Sequence, residues 1–336
     1  MCKPVGDGEN DNRKTQWFPP KDLFTETEVS SQHSKVFTVT GGNTGIGFEL
    51  IKILYGTGAT IYMALRSKDK AEKAIQTLTE ASPPPKTPSQ VKFLQLDLND
   101  PVSVKEAAAS FAQQEAKLDV LWNNASPGIK DFEIGDRTAQ GLPPMMGINC
   151  VATLLFTNLL VPQLRAASTE SPSRVVWTST FMVEGGTLVN GIDPSLLEEV
   201  TTDGMKNYAI SKGGAWMLCR EFARRYGRNG IVSVMQNMGN LRTGVYDKID
   251  AFTMLFLGRL LYDPKFGGYT ELYAGLSPDI TLENNGACVI PWGRLRPDEA
   301  CPRKDIIHAM TAEEDGGLGY GKKLWEWCEL KWKPFV

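Results

Sequence analysis

Short apolar runs alternate along the chain with longer stretches in which apolar residues recur every three or four positions. The short runs are rich in β-branched residues: 35–40 (KVFTVT), 60–65 (TIYMAL), 91–98 (VKFLQLDL), 118–124 (LDVLWNN), 174–180 (RVVWTST), 230–237 (GIVSVMQN) and 287–293 (ACVIPWG). Nearly continuous apolar strands of this length are buried on both faces. The segments between them, such as IGFELIKILYGTG, SVKEAAASFAQQEA and GGAWMLCREFARRYG, carry helical spacing. Strand–helix alternation predicts an α/β fold: a doubly wound parallel sheet of about seven strands with helices on both faces, in a single domain.

Two regions break the pattern. Residues 1–34 are polar and read as an N-terminal extension, without fixed structure except where WFPP (17–20) packs. They contain no apolar core of a secretory signal. Residues 244–286 interrupt the alternation before the sheet resumes at 287, which suits a substrate lid or wall. Their aromatic content fits a bulky hydrophobic ligand; an ordinary amphipathic helix against the sheet edge fits equally well. The domain proper is then 35–336. The longest apolar runs, 151–164 and 251–261, are shorter than the ~20 residues of a membrane span, so no transmembrane segment is expected. The aromatic tail 324–332 (LWEWCELKW) is expected to pack on the domain, with a surface-lying membrane helix as the alternative.

Composition narrows the chemistry. A net charge of −3 and the lack of a basic patch argue against nucleic acid as a partner. The six cysteines form no C-x-x-C pair, which predicts reduced thiols and a cytoplasmic protein. Two histidines are too few for a histidine metal site or a Ser-His-Asp triad, and no metal is expected.

The chemistry-bearing stretches sit at strand ends. TVTGGNTGIGFEL (38–50) follows the first strand and opens the first helix. Its glycines, Gly41, Gly45 and Gly47, permit a tight turn and close approach of a pyrophosphate to the helix N-terminus. This is the Rossmann-type strand–turn–helix context. Arg66 lies twenty-one residues past Gly45, where an acid would favour NAD and an arginine favours the 2′-phosphate of NADP. Lys68 and Lys70 read as solvated charges at a helix start. Asp97 suits the adenine amino group, with a turn or capping aspartate before LNDP as the alternative. YAISK places Tyr208 and Lys212 four apart, on one helix face. A free tyrosine of pKa ~10 is a poor acid at neutral pH, and a neighbouring ammonium favours its phenolate.

Together, TGGNTGIG (40–47), NNA (123–125), Asn149 in GINCVATLLFT and YAISK (208–212) resemble the short-chain dehydrogenase/reductase family. WFPPKDLFTE, KFGGYTELYAGLSPDITLENNGACVIPWGR and GKKLWEWCEL resemble a fungal, retinol-dehydrogenase-like branch often tied to secondary metabolism. The resemblance spans roughly residues 17–330. It implies an NADP(H)-dependent oxidoreductase of a lipophilic ketone, aldehyde or alcohol, with a homodimer allowed. Tyr208 is implied as proton donor, Lys212 as ribose ligand and pKa depressor, and Asn149 as the residue that steadies a relay water. The cofactor is implied to contact Gly41, Asn43, Thr44, Gly45, Ile46, Gly47, Arg66, Asp97, Leu98, Asn124, Ala125 and Ser126, then Tyr208, Lys212, Gly239, Leu241 and Thr243.

Three positions depart from the family pattern. Ser126 replaces a glycine in NNASPG, and Met238 replaces a proline in NMG. The hydroxyl that should align a substrate carbonyl falls, by register, on Thr180 rather than on a serine. Strand alternation puts Thr178 and Thr180 on one face and Ser179 on the other, so Ser179 is the fallback if the strand twists at its end. These departures ring the implied nicotinamide. They leave a second reading open: an NADP-retaining cyclase or isomerase, or a weakly catalytic NADP-binding scaffold.

Overall fold

A computed structural model of the chain describes residues 16–21, 24–80, 83–129, 131–243 and 258–336. The apolar runs become β1 (Val36–Thr40), β2 (Thr60–Leu65), β3 (Gln90–Gln95), β4 (Val120–Asn123), β5 (Ser173–Ser179), β6 (Ile231–Asn237) and β7 (Cys288–Ile290). β8 (Arg294–Arg296) is an eighth strand that the pattern did not separate. Gly293, at φ +79°, turns the chain after β7, and Arg294 pairs back on Ile290. The run 287–293 is thus a strand plus a turn.

Among the described residues the strands form one sheet in the order β3-β2-β1-β4-β5-β6-β7-β8. Every pairing is parallel except β7 with β8. The chain winds outward from β1 to β3, then returns to β4 beside β1. That reversal opens a crevice at the carboxyl ends of β1 and β4, where α/β sheets bind ligands.

Helices cover both faces. On one face lie α1 (Gly45–Leu54) and α2 (Lys68–Thr79). On the other lie α3 (Pro101–Gln114), α4 (Thr153–Leu159), α5 (Val161–Ala167) and the long α6 (Gly204–Tyr226). The first face is completed by α7 (Pro264–Leu276); α8 (Lys304–Met310) and α9 (Tyr320–Trp332) complete the second. Each face has its own core: Phe37, Leu50 and Leu272 are sealed in one, Phe111, Trp177 and Phe222 in the other. Each fully enclosed Leu or Phe contributes roughly 1.5–3 kcal/mol.

Part of the expected lid is core. α7 is buried along Gly267–Gly275 and packs on α1 and the sheet. Its glycines mislead a sequence reader, because here they permit close packing: a Cβ at Gly275 would run into the Trp122 indole. Residues 244–257, at the start of that stretch, lie outside the described residues. The chain leaves β6 and returns at Tyr262, which pairs with Leu241.

The extension is also more than a tail. Phe24 packs edge-on to Tyr273 at 5.8 Å, and Val29 joins the same core. The aromatic tail docks as α9, with Trp325 enclosed and the Arg225 guanidinium 4.3 Å from its ring. No single helix among the described residues is long and apolar enough to cross a membrane. Cys150, Cys219, Cys288, Cys301 and Cys328 are free, buried thiols.

Candidate active site

The glycine loop joins β1 to α1. Gly45 has φ +56°, a conformation that L side chains avoid, and a Cβ there would project into open space. At Gly47 the constraint is room: a Cβ would come within 2.5 Å of the Asn124 amide and 2.9 Å of the Gly41 carbonyl. Asn124 Nδ2 donates to the Thr40 carbonyl at 2.8 Å, and the Ala125 N–H donates to Thr40 Oγ1 at 2.9 Å. The NNA segment thereby braces the loop from below. Thr44 is the N-cap of α1 but its side chain makes no cap bond, so the first N–H groups of the helix face the crevice uncapped. Asn43 lies in the same turn, and Ile46 is buried against Leu241 and Trp292. Open space, positive φ and uncapped donors fit a pyrophosphate.

Arg66 follows β2 and is exposed, with no ion pair among the described residues. Its carbonyl accepts from Gln95 Nε2 at 2.8 Å, which fixes its backbone beside β3. Asp97 makes the turn that its sequence context allowed: its Oδ1 accepts from the N–H and the amide of Asn99, both at 2.9 Å. Leu98 packs on the core.

Tyr208 and Lys212 come together on α6. Tyr208 is 7% exposed, and the Lys212 ammonium lies 5.8 Å from its ring centre. Lys212 is itself enclosed, and its Nζ donates to the Thr178 carbonyl at 2.8 Å. Burial lowers its pKa to about 8. Asn149 sits in a π-helical turn, Gly147–Ala152, between the short helix Pro144–Met146 and α4. Such turns are frequent at functional sites. Its Nδ2 donates to Ser211 Oγ at 2.9 Å, and that hydroxyl donates to the Tyr208 carbonyl at 2.8 Å. Its Oδ1 is buried with no partner among the described residues, an acceptor suited to a bound water.

The three hydroxyls of RVVWTST have separate uses. Thr178 Oγ1 donates to Glu271 Oε1 at 3.1 Å. Ser179 is fully buried, and its Oγ donates to the Lys212 carbonyl at 3.0 Å, so it is spent on holding α6. Thr180 lies just past β5 and is partly exposed. Its Oγ1 accepts from the Met182 N–H at 3.3 Å. That bond aims the oxygen and leaves the hydroxyl hydrogen available to an acceptor.

Of the two other departures, Ser126 is exposed, with its Oγ donating to the Pro127 carbonyl at 3.2 Å. Met238 packs on the cluster of Ile46, Leu241 and Trp292. Gly239 has φ +86° and its N–H donates to Asn237 Oδ1 at 3.1 Å; Thr243 is half-buried.

Spacing and pattern gave no sign of two contributions, those of Gln16 and Glu271, whereas packing of the adjoining WFPP was expected. Gln16 is 4% exposed and its Oε1 accepts from Asn237 Nδ2, at the end of β6, at 2.8 Å. Trp17 stands edge-on to Phe181 at 4.9 Å, and its carbonyl accepts from the Tyr262 hydroxyl at 3.4 Å. This arm therefore crosses the carboxyl edge between β5 and β6. The second is Glu271 on α7. Nothing in YTELYAGL marks that glutamate as buried, since enclosure depends on how α7 meets the sheet.

An apolar cleft of about 130 Å³ borders α6, lined by Ile129, Phe132, Met145, Leu196 and Ile210. Neither Tyr208 nor Thr180 lines it, though Asn207 and Ile210 beside the tyrosine do.

The family model described as short chain dehydrogenase matches residues 35–252. The short-chain dehydrogenase/reductase iacJ of Pestalotiopsis fici is 46% identical over 96% of this chain and 97% of its own. The short-chain dehydrogenase/reductase bet4 of Neocamarosporium betae is 36% identical over 96% and 93%. Among solved structures, the NADPH-bound carbonyl reductase from chicken fatty liver superposes with a TM-score of 0.57, at 20% identity, over 77% of this chain and 96% of that one. The doubly wound sheet and these matches lead to one conclusion: this chain belongs to the short-chain dehydrogenase/reductase family of oxidoreductases.

Proposed function

We propose that the protein is a cytoplasmic NADPH-dependent reductase of a lipophilic ketone or aldehyde, serving secondary metabolism, and that it runs the reverse alcohol oxidation when the substrate ratio favours it. The observation that carries this reading is the pairing on α6. Tyr208 is nearly buried, with an enclosed ammonium beside its ring.

When bound, the nicotinamide supplies or accepts the hydride. The chain's own residues do the rest. Gly41, Gly45 and Gly47, with the uncapped start of α1, would hold the pyrophosphate, and Arg66 the 2′-phosphate. Thr180 donates a hydrogen bond to the substrate carbonyl oxygen and keeps it facing Tyr208. Tyr208 gives its proton to that oxygen as the alcohol forms, and Lys212 stabilises the phenolate left behind. Asn149 offers Oδ1 to a water through which the proton is replaced. Met238 sits in a packed apolar cluster, so its substitution for proline reshapes the wall without removing a catalytic group.

The purified protein is expected to oxidise NADPH with members of a panel of hydrophobic ketones and aldehydes. If no member is reduced, while Tyr208→Phe still converts the natural substrate, the non-redox cyclase or isomerase reading takes its place. Cofactor choice has its own test. NADPH should raise the melting temperature more than NADH, because tighter binding to the native state stabilises it by mass action. Arg66→Ala should weaken NADPH by roughly 10- to 100-fold, the worth of a charge-assisted contact, and leave NADH unchanged. Equal weakening of both would remove Arg66 from the phosphate site.

A further inference from the structure

The sheet separates Lys212, on the α6 side, from Glu271, on the α7 side, and Thr178 joins them through it. The Thr178 carbonyl accepts from Lys212 Nζ at 2.8 Å, while its hydroxyl donates to Glu271 Oε1 at 3.1 Å. Gln236 on β6 closes the unit: its Nε2 donates to Glu271 Oε1 at 2.8 Å and to Thr178 Oγ1 at 3.0 Å. The Trp122 indole N–H holds the Glu271 carbonyl at 2.9 Å, fixing this turn of α7. Glu271 is fully enclosed. Two oxygens in the unit, Glu271 Oε2 and Gln236 Oε1, have no partner among the described residues. A charged carboxylate leaves both without a donor; a proton on Glu271 supplies one.

We propose that Glu271 is a positioning residue for Lys212: through Thr178 it fixes the carbonyl that holds the ammonium, and its charge decides how far that ammonium survives as pH rises. The proposal rests on the reading of Tyr208 and Lys212 given above. Burial raises the Glu271 pKa to about 8, the value to which burial lowers Lys212, so the two titrate together. The facing groups leave Lys212 as the charge that acts on Glu271. β4 presents Trp122, β5 Thr178 and β6 Gln236, and β7 contributes the apolar Val289 to the core that α7 closes. On α1, Glu49 and Lys52 pair with each other at 2.6 Å. Cys150, beyond Lys212, is pushed up to about 12 and stays neutral.

Glu271→Gln tests this, since glutamine keeps the shape and cannot ionise. In the wild type, ionised Glu271 retains the Lys212 proton by attraction. The alkaline limb of kcat/KM for NADPH-dependent reduction should therefore move to lower pH in the variant, by about 0.5–1 unit, with NADPH affinity unchanged. Limbs that superpose would overturn the proposal. A second readout needs no cofactor. The folded-state pKa of Glu271 is raised, so its contribution to stability is full below the unfolded value and is lost as pH rises through about 8. The wild-type melting temperature should fall relative to Glu271→Gln across that window, and a constant difference would overturn the buried ionisation. If the glutamine variant does not fold, Thr178→Val cuts the same link; it must shift the alkaline limb the same way, and an unshifted limb overturns the proposal. The expected melting slope without any NADPH turnover would support Glu271's ionisation and count against the reductase reading alone.

Discussion

Tyr208→Phe is expected to lower carbonyl reduction by ~10²–10⁴-fold, the range in which positioned proton transfer contributes, while NADPH binding stays within a few-fold. The variant removes one oxygen and leaves the ring, so the 5.8 Å approach of the ammonium and the packing of α6 persist. Ser211, held by Asn149, donates to the Tyr208 carbonyl rather than to its phenol, so this chain of bonds is untouched too. Kinetics with a reactive ketone, together with cofactor titration, check the split. Loss of NADPH affinity equal to the loss of turnover would make Tyr208 a cofactor ligand and not the proton donor.

Lys212→Met should separate catalysis from stability in opposite directions. A buried ammonium that donates to a neutral carbonyl, that of Thr178, is costly to keep. Its pKa falls from the ordinary 10.5 to about 8. The sign follows. Below pH 8 the lysine is charged in both states and the folded state bears the full penalty; the penalty fades as pH rises from 8 to 10.5. A fall of that size corresponds to a penalty on the order of 3 kcal/mol. Methionine fills similar space without charge and forfeits about 1 kcal/mol of hydrogen bond. At pH 7 the variant should therefore be more stable by roughly 1–3 kcal/mol, and a gain that shrinks above pH 9 confirms the cause. Reductase turnover should meanwhile collapse. A less stable variant would make Lys212 a structural residue.

Much of the fold was legible because it is written locally. β1 to β7 announce themselves as apolar runs, and Gly45, Tyr208 and Lys212 by fixed spacing. What depends on distant packing was hidden. α7 reads as an interruption because Gly267, Gly268 and Gly275 break its helical signature, yet those are the residues that let it close on Leu241, α1 and Trp122. β8 hides behind a single turn glycine. At the site, alternation separated Thr178 from Ser179, but only their partners, Glu271 and the Lys212 carbonyl, tell what each hydroxyl is for. Gln16 lies in a polar leader that gave no reason to expect enclosure.

That leader has an evolutionary side. Gln16 and Trp17 reach the carboxyl edge of β5 and β6 from outside the sheet, through one amide pair, one ring contact and one carbonyl. Neither residue belongs to either main core. Mutations there can reshape the mouth of the crevice at little cost to folding, whereas changes in β5 or α7 disturb both. The stretch ahead of β1 is thus the place where a library for altered substrate preference should start.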